Sequence, residues 1–247
     1  MSNFLVRKMR AFYKFCGFIK RGFLTWVSYK WVVLMNFATW VMQVLWLYFL
    51  GKAGLNSVQF ERYSANFFSF VIIGVIFENF SSASIYSFRN ALYKEQVEGT
   101  LEAALMSSTS LSTFAIGQGI WGFCKAGIGA IVYLAVSLFL GMKITLSLGS
   151  LLSLFPFFIV SILSLMGLGI ASSGVIIITK QGDPLMFTIS WVNRLFTGVY
   201  YPVSILPFPL QVVSKISPLT YALDGLRLIL LNGFTLFYPY VLKIFSF

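Results

Sequence analysis

Histidine is absent from all 247 residues. That removes the commonest general base and the commonest metal ligand, and with them most familiar catalytic constellations. Cysteine is nearly absent: Cys16 and Cys124 sit in unlike contexts, and two thiols build neither a disulfide framework nor a zinc site, so both read as packing residues. No G-x-x-x-x-G-K-[ST] phosphate loop occurs. Charge is thin as well, with only 10% of residues charged against 58% hydrophobic and a mean hydropathy of +0.86. Such a chain is not built for water; it reads as an integral membrane protein. The acids are scarcest, 7 against 18 Lys and Arg. In a soluble chain that surplus would suggest a nucleic-acid partner, but the basic residues lie mostly outside the apolar runs. They read as a membrane orientation signal, with no nucleic-acid partner expected.

What is present is a series of long apolar runs. Residues 31–50 carry no charge and at 1.5 Å per residue cover roughly 30 Å of hydrocarbon. Further spans are expected at about 65–88, which contains Glu78, and at 117–140, which contains Lys125. Two more are expected at 150–179, tilted or partly interfacial, and at 184–201, which contains Asn193 and Arg194. The runs lack the alternation of barrel strands, so the expected fold is all-α with five clear transmembrane helices. With the N-terminus in the cytoplasm, ten Lys and Arg fall inside and six outside, which favours that topology in the cell membrane. Lys125, near the inner end of its span, is expected to snorkel to the interface.

Residues 1–30 form a region of their own. Leu5, Met9, Phe12, Cys16, Ile19, Phe23 and Trp26 recur at helical spacing with Arg7, Arg10, Lys14 and Arg21 on other faces, which predicts an interfacial amphipathic helix. A signal peptide fits less well, because the apolar run beginning at Trp31 is full-length for a span and no A-x-A-like site follows it. In 202–233, Pro202, Pro207, Pro209 and Pro218 forbid one continuous helix, so short broken helices at the outer surface are expected. The last fourteen residues, 234–247, contain Pro239 and Lys243 and are too short for a normal crossing, so a sixth span is expected to be incomplete.

Three of the seven acids gather in KEQVEGTLEAALMSSTS, residues 94–110. On a helix Glu95, Glu98 and Glu102 fall within about 60° of one another, opposite Val97, Leu101 and Ala104. Such a face either meets a basic protein surface or keeps a loop solvated. Glu78 and Arg194 each lie roughly 15 Å from the inner end of their spans. An unpaired charge near the bilayer centre costs about 2.5–3.5 kcal/mol, so both are expected to face inward. With Asn79 and Asn193 beside them, they either line a translocation path or form a purely structural ion pair.

The order of these features resembles the permease subunit of ATP-binding-cassette type-2 exporters across essentially the whole chain. The resemblance rests on Glu98, Gly99, Thr100, Leu101 and Glu102 leading into Ser107 to Ser110, and on Gly198, Tyr201, Pro202, Leu206, Pro207, Pro218, Leu219, Thr220, Tyr221 and Arg227. SSTS stands where many relatives have a proline, and the short C-terminus departs from the family's six spans. The resemblance implies export of a lipid, lipid-linked glycan or amphipathic drug by a pair of permease copies, here expected to be a homodimer. Power would come from a separate ATPase subunit, which would bind the ATP and Mg, with no cofactor in this chain. It implies that residues 89–110 couple to that ATPase through Glu95, Glu98, Gly99, Thr100, Leu101 and Glu102, and that Pro202, Pro207, Pro218 and Arg227 belong to an outer gate. Two other classes remain open on the residues alone. One is a lipid-modifying enzyme holding a divalent metal on Glu95, Glu98 and Glu102; the other is a channel or scaffold working without nucleotide.

Overall fold

The computed structural model describes residues 16–53, 66–97, 99, 106, 111–144, 149–150, 152–154, 159 and 184–233. Residues 1–15, the last segment, 234–247, and most of the expected fourth span at 150–179 therefore lie outside the described residues. Among those described the structure is helical, without strands. Among the described residues, six helices with both ends given follow in chain order: α1 Lys30–Lys52, α2 Phe67–Val97, α3 Leu111–Phe139, α4 Pro184–Phe196, α5 Phe208–Ile216 and α6 Pro218–Asn232. A 3₁₀ turn, Val203–Ile205, joins α4 to α5.

Three of these are long and apolar enough to cross a membrane: α1 over its full length, α2 from Phe67 to Tyr86 and α3 from Ile120 to Phe139. They coincide with three of the expected spans because each run is bounded by charge or by a turn. α1 begins and ends on a lysine, and Lys52 lies 4.7 Å from the Tyr48 ring at the C-terminal end, where a cation also suits the helix dipole. Its buried residues, Trp40, Val44, Leu47 and Gly51, form one helical stripe. Trp31, Met35, Met42, Trp46 and Phe49 are exposed on its other faces, as lipid-facing side chains are.

α2 is the centre of the bundle. Every residue from Phe67 to Phe77 is buried, so this half of the helix has no lipid-facing side. Apolar burial does not drive helices together in a bilayer as it does in water; close packing and hydrogen bonds hold them. Here α2 packs against α1, α3 and α6. α2 continues past its apolar run to Val97 through Arg89, Lys94 and Glu95, whereas α3 is uncharged from Leu111 as far as Lys125.

Residues 16–28 are helical and separated from α1 by a break at Tyr29. Phe23 and Trp26 pack on Trp121 of α3 with ring centroids 6.1 and 6.0 Å apart, and Trp26 also meets Phe37. An aromatic cluster thus ties the N-terminal segment to the helix bundle.

The expected 184–201 span is corrected by the structure: α4 stops at Phe196 and a turn follows at Thr197 and Gly198. Pro202 disfavours helix in the residue before it, and the freed carbonyls of α4 find hydroxyl donors instead. Tyr201 donates to the Leu195 carbonyl at 2.7 Å, and Ser214 and Thr220 donate to that of Phe196 at 2.8 and 3.4 Å. Beyond it, the prolines take places where a missing N–H costs little. Pro207 caps α5, Pro209 lies in the first turn of α5, and Pro218 opens α6.

Candidate functional site

Glu78 lies one residue beyond the fully buried run of α2, and Arg194 lies in the last turn of α4. Their side chains form an ion pair through Arg194 Nη2 and Glu78 Oε1. Tyr200, just past the α4 turn, donates its hydroxyl to Glu78 Oε2 at 3.3 Å, so both carboxylate oxygens are engaged. The guanidinium also lies 5.0 Å from the Trp191 ring. A few turns away Tyr86 donates to Ser190 Oγ at 2.7 Å, a second polar tie between the same two helices. Glu78 is 13% exposed and Arg194 32%, so the acid is much the more desolvated partner.

Beside the pair is a cavity of about 10 Å³, room for one water, lined in part by Glu78, Ser81, Ser190, Asn193, Arg194 and Thr197. Thr197 donates to Asn193 Oδ1 at 3.1 Å. Ser81 Oγ and Arg194 Nε are buried there with no hydrogen-bond partner among the described residues. Of the four residues expected together, Glu78, Asn193 and Arg194 line this one cavity. Asn79 does not: it lines a separate cleft with Asn36 and Lys125. One residue's step around a helix is 100°, which carries Asn79 off the face held by Glu78. There the Asn79 amide meets the Tyr133 hydroxyl, which in turn donates to Gln43 Oε1 at 2.7 Å.

Arg227, one of the six basic residues expected on the outer side, is not a surface charge. It is 1% exposed, wedged between α6 and α2. Its Nη2 donates to the Val199 carbonyl at 2.8 Å and its Nε to the Phe70 carbonyl at 3.3 Å, while the guanidinium lies 3.4 Å from the Phe70 ring. Gly74 makes this possible. A methyl group at that position would overlap the Val199 carbonyl oxygen and come within 2.8 Å of Arg227 Nη2. The other expected gate residues sit nearby in sequence but act locally: Pro202 is buried in extended backbone, and Pro207 and Pro218 start helices.

The acidic segment is also reshaped. Glu95 lies on the last turn of α2, but the helix ends at Val97 and Gly99 has φ +69°, a left-handed conformation that only glycine adopts freely. Gly99 therefore follows the helix as a C-terminal stop, and the single helical face expected through Glu95, Glu98 and Glu102 is interrupted. Glu98, Thr100, Leu101 and Glu102 lie outside the described residues. Sequence reasoning missed Tyr200, Tyr133, Gln43 and Gly74. The one signal for Gly74 was an isolated glycine in a run of Phe, Ile and Val, where close backbone approach is the usual cause.

The family model for the ABC-2 type transporter matches residues 13–231, which takes in every helix just described but for the last residue of α6. The chain belongs to the ABC-2 type transporter family. Curated relatives agree with that placement. Nodulation protein J of Rhizobium meliloti (strain 1021) is 25% identical over 222 residues, covering 87% of this chain and 80% of the relative. Nodulation protein J of Rhizobium leguminosarum bv. trifolii is 25% identical over 195 residues, covering 76% and 71%. ABC-2 permeases are the membrane subunits of transporters and normally pair with an ATP-hydrolysing subunit. In this permease the half-buried ion pair joins α2, the central helix, to α4, and the Gly99 stop follows the end of α2.

Proposed function

We propose that this permease is the transmembrane half of an exporter that moves a lipid, lipid-linked glycan or amphipathic drug out of the cytoplasm by alternating access. Its energy comes from a separate ATPase subunit that binds ATP and Mg. The observation that carries this reading is the continuation of α2 past its apolar run through Arg89, Lys94 and Glu95 to Val97, followed by a glycine stop at Gly99. A charged helix terminus of this kind is placed to receive a partner, and the acids Glu95, Glu98 and Glu102 suit a basic docking surface. The N-terminus then lies in the cytoplasm of a cell membrane and the Phe67 end of α2 faces outward. A homodimer of permeases supplies the route, with Glu78, Asn193 and Arg194 on it. Pro202, Pro207, Pro218 and Arg227 shape its outer end.

Replacing Glu98 and Glu102 together by lysine is expected to remove most of the ATPase that co-purifies with the permease, while the permease itself still reaches the membrane. Pull-down of the tagged chain followed by quantification of bound ATPase measures this. Undiminished co-purification would show that the ATPase docks elsewhere.

A further inference from the structure

Between α1, α2 and α3 lies a cleft of about 260 Å³, lined by Asn36, Trp40, Asn79, Lys125 and small residues that include Ala126 and Gly129. It exceeds the roughly 150 Å³ that holds a benzene-sized guest, but its lining is polar. Lys125 is the one charged side chain in that lining, and among the described residues no carboxylate pairs with it. Asn36 and Asn79 each donate one N–H to a carbonyl a turn back in their own helix, Val32 at 2.6 Å and Val75 at 2.9 Å. Both amides are thereby fixed in place. The space exists because small residues line α3 here: a side chain at Gly129 would come within 3.2 Å of the Trp40 ring. Lys125 lies eight residues, about 12 Å, from Gly117, and Asn79 ten residues, about 15 Å, from Arg89, the first charge beyond the apolar run of α2. Along α2 the cleft is therefore nearer Arg89 than Phe67. Snorkelling alone would need neither the cleft nor the two anchored amides.

We propose that this cleft binds a phosphate group carried by an acidic membrane lipid, with Lys125 as its counter-charge and the second N–H of the Asn36 amide as a neutral donor. A phosphate supplies the anion that an ammonium at this depth lacks, and the lipid's acyl chains continue along the exposed apolar surface of α1. The site lies apart from the Glu78–Arg194 pair and requires neither a particular cargo nor the ATPase.

The test titrates purified full-length permease, in nonionic detergent, with fluorescent phosphatidylglycerol and with phosphatidylcholine. Saturable binding of phosphatidylglycerol alone is expected, weakened at least tenfold in Lys125→Gln and largely retained in Lys125→Arg. Ala126→Leu, which fills the cleft and leaves the charge, is expected to weaken it as well, and it decides the matter if Lys125→Gln does not remain monodisperse. Inorganic phosphate is then added as competitor: failure to displace the lipid assigns the cleft to lipid phosphate, whereas displacement at millimolar concentration overturns the lipid assignment in favour of the free anion. Equal binding of both lipids, or undiminished phosphatidylglycerol binding in both Lys125→Gln and Ala126→Leu, overturns the proposal.

Discussion

Gly74→Val is expected to prevent the permease from accumulating as a stable protein. Valine at this position cannot coexist with the Val199 carbonyl, which is backbone and cannot swing aside, or with Arg227 Nη2. Relief requires α6 and the 199–201 segment to move off α2. That breaks the two hydrogen bonds from Arg227 to the Val199 and Phe70 carbonyls and leaves a guanidinium in an apolar interior. Overpacking typically costs about 1–3 kcal/mol, and each lost hydrogen bond to a charged group about 1.5–3 kcal/mol more. The sum rivals the net stability of an ordinary domain. Gly127→Ala provides the control, since nothing lies within 4 Å of a methyl group there. It is expected to leave the melting temperature of the purified protein within a few degrees of wild type. A Gly74→Val protein as stable as Gly127→Ala would mean that the contact between α6 and α2 is not as close as described.

The second large effect is expected at the ion pair. Arg194→Glu alone sets two carboxylates against each other in a site where Glu78 is mostly buried, and removing one partner of a buried pair costs about 3–5 kcal/mol. Membrane levels of this variant should fall steeply. Adding Glu78→Arg restores opposite charges and is expected to return the protein to the membrane in near-normal amount. Export measured in the same cells then separates two roles: with the pair on the translocation route, transport stays lost in the rescued double variant. Recovery of transport together with folding would assign Glu78 and Arg194 a structural role alone.

How much of this was legible in the sequence depended on the range of the forces involved. The spans of α1, α2 and α3 could be read because hydrocarbon imposes a simple length rule on uncharged runs, and Lys30 and Lys52 mark the ends of α1 almost to the residue. The match in depth of Glu78 and Arg194 was legible for the same reason, since depth follows from counting residues along a helix. What counting could not supply was rotation about the helix axis: Asn79 follows Glu78 in the chain yet belongs to another cleft. Nor could it see local backbone choices. The spacing of Glu95, Glu98 and Glu102 suited a helix, but Gly99 adopts a conformation that ends one. Arg227 shows a third limit. A guanidinium in a proline-rich segment counts as a surface charge until two backbone carbonyls and the Phe70 ring, brought together by distant parts of the chain, give it an interior place.

The unbroken length of α2 makes it a lever. Gly74, clamped beneath Val199 and Arg227, is the natural fulcrum, and 23 residues of continuous helix separate it from Val97, an arm of about 34 Å. A tilt of about 5° about that point would swing the far end by about 3 Å, while Glu78, about 6 Å from the fulcrum, would shift by only about 0.5 Å. A push delivered near Glu95 can therefore be large where it is received and small where the charges meet.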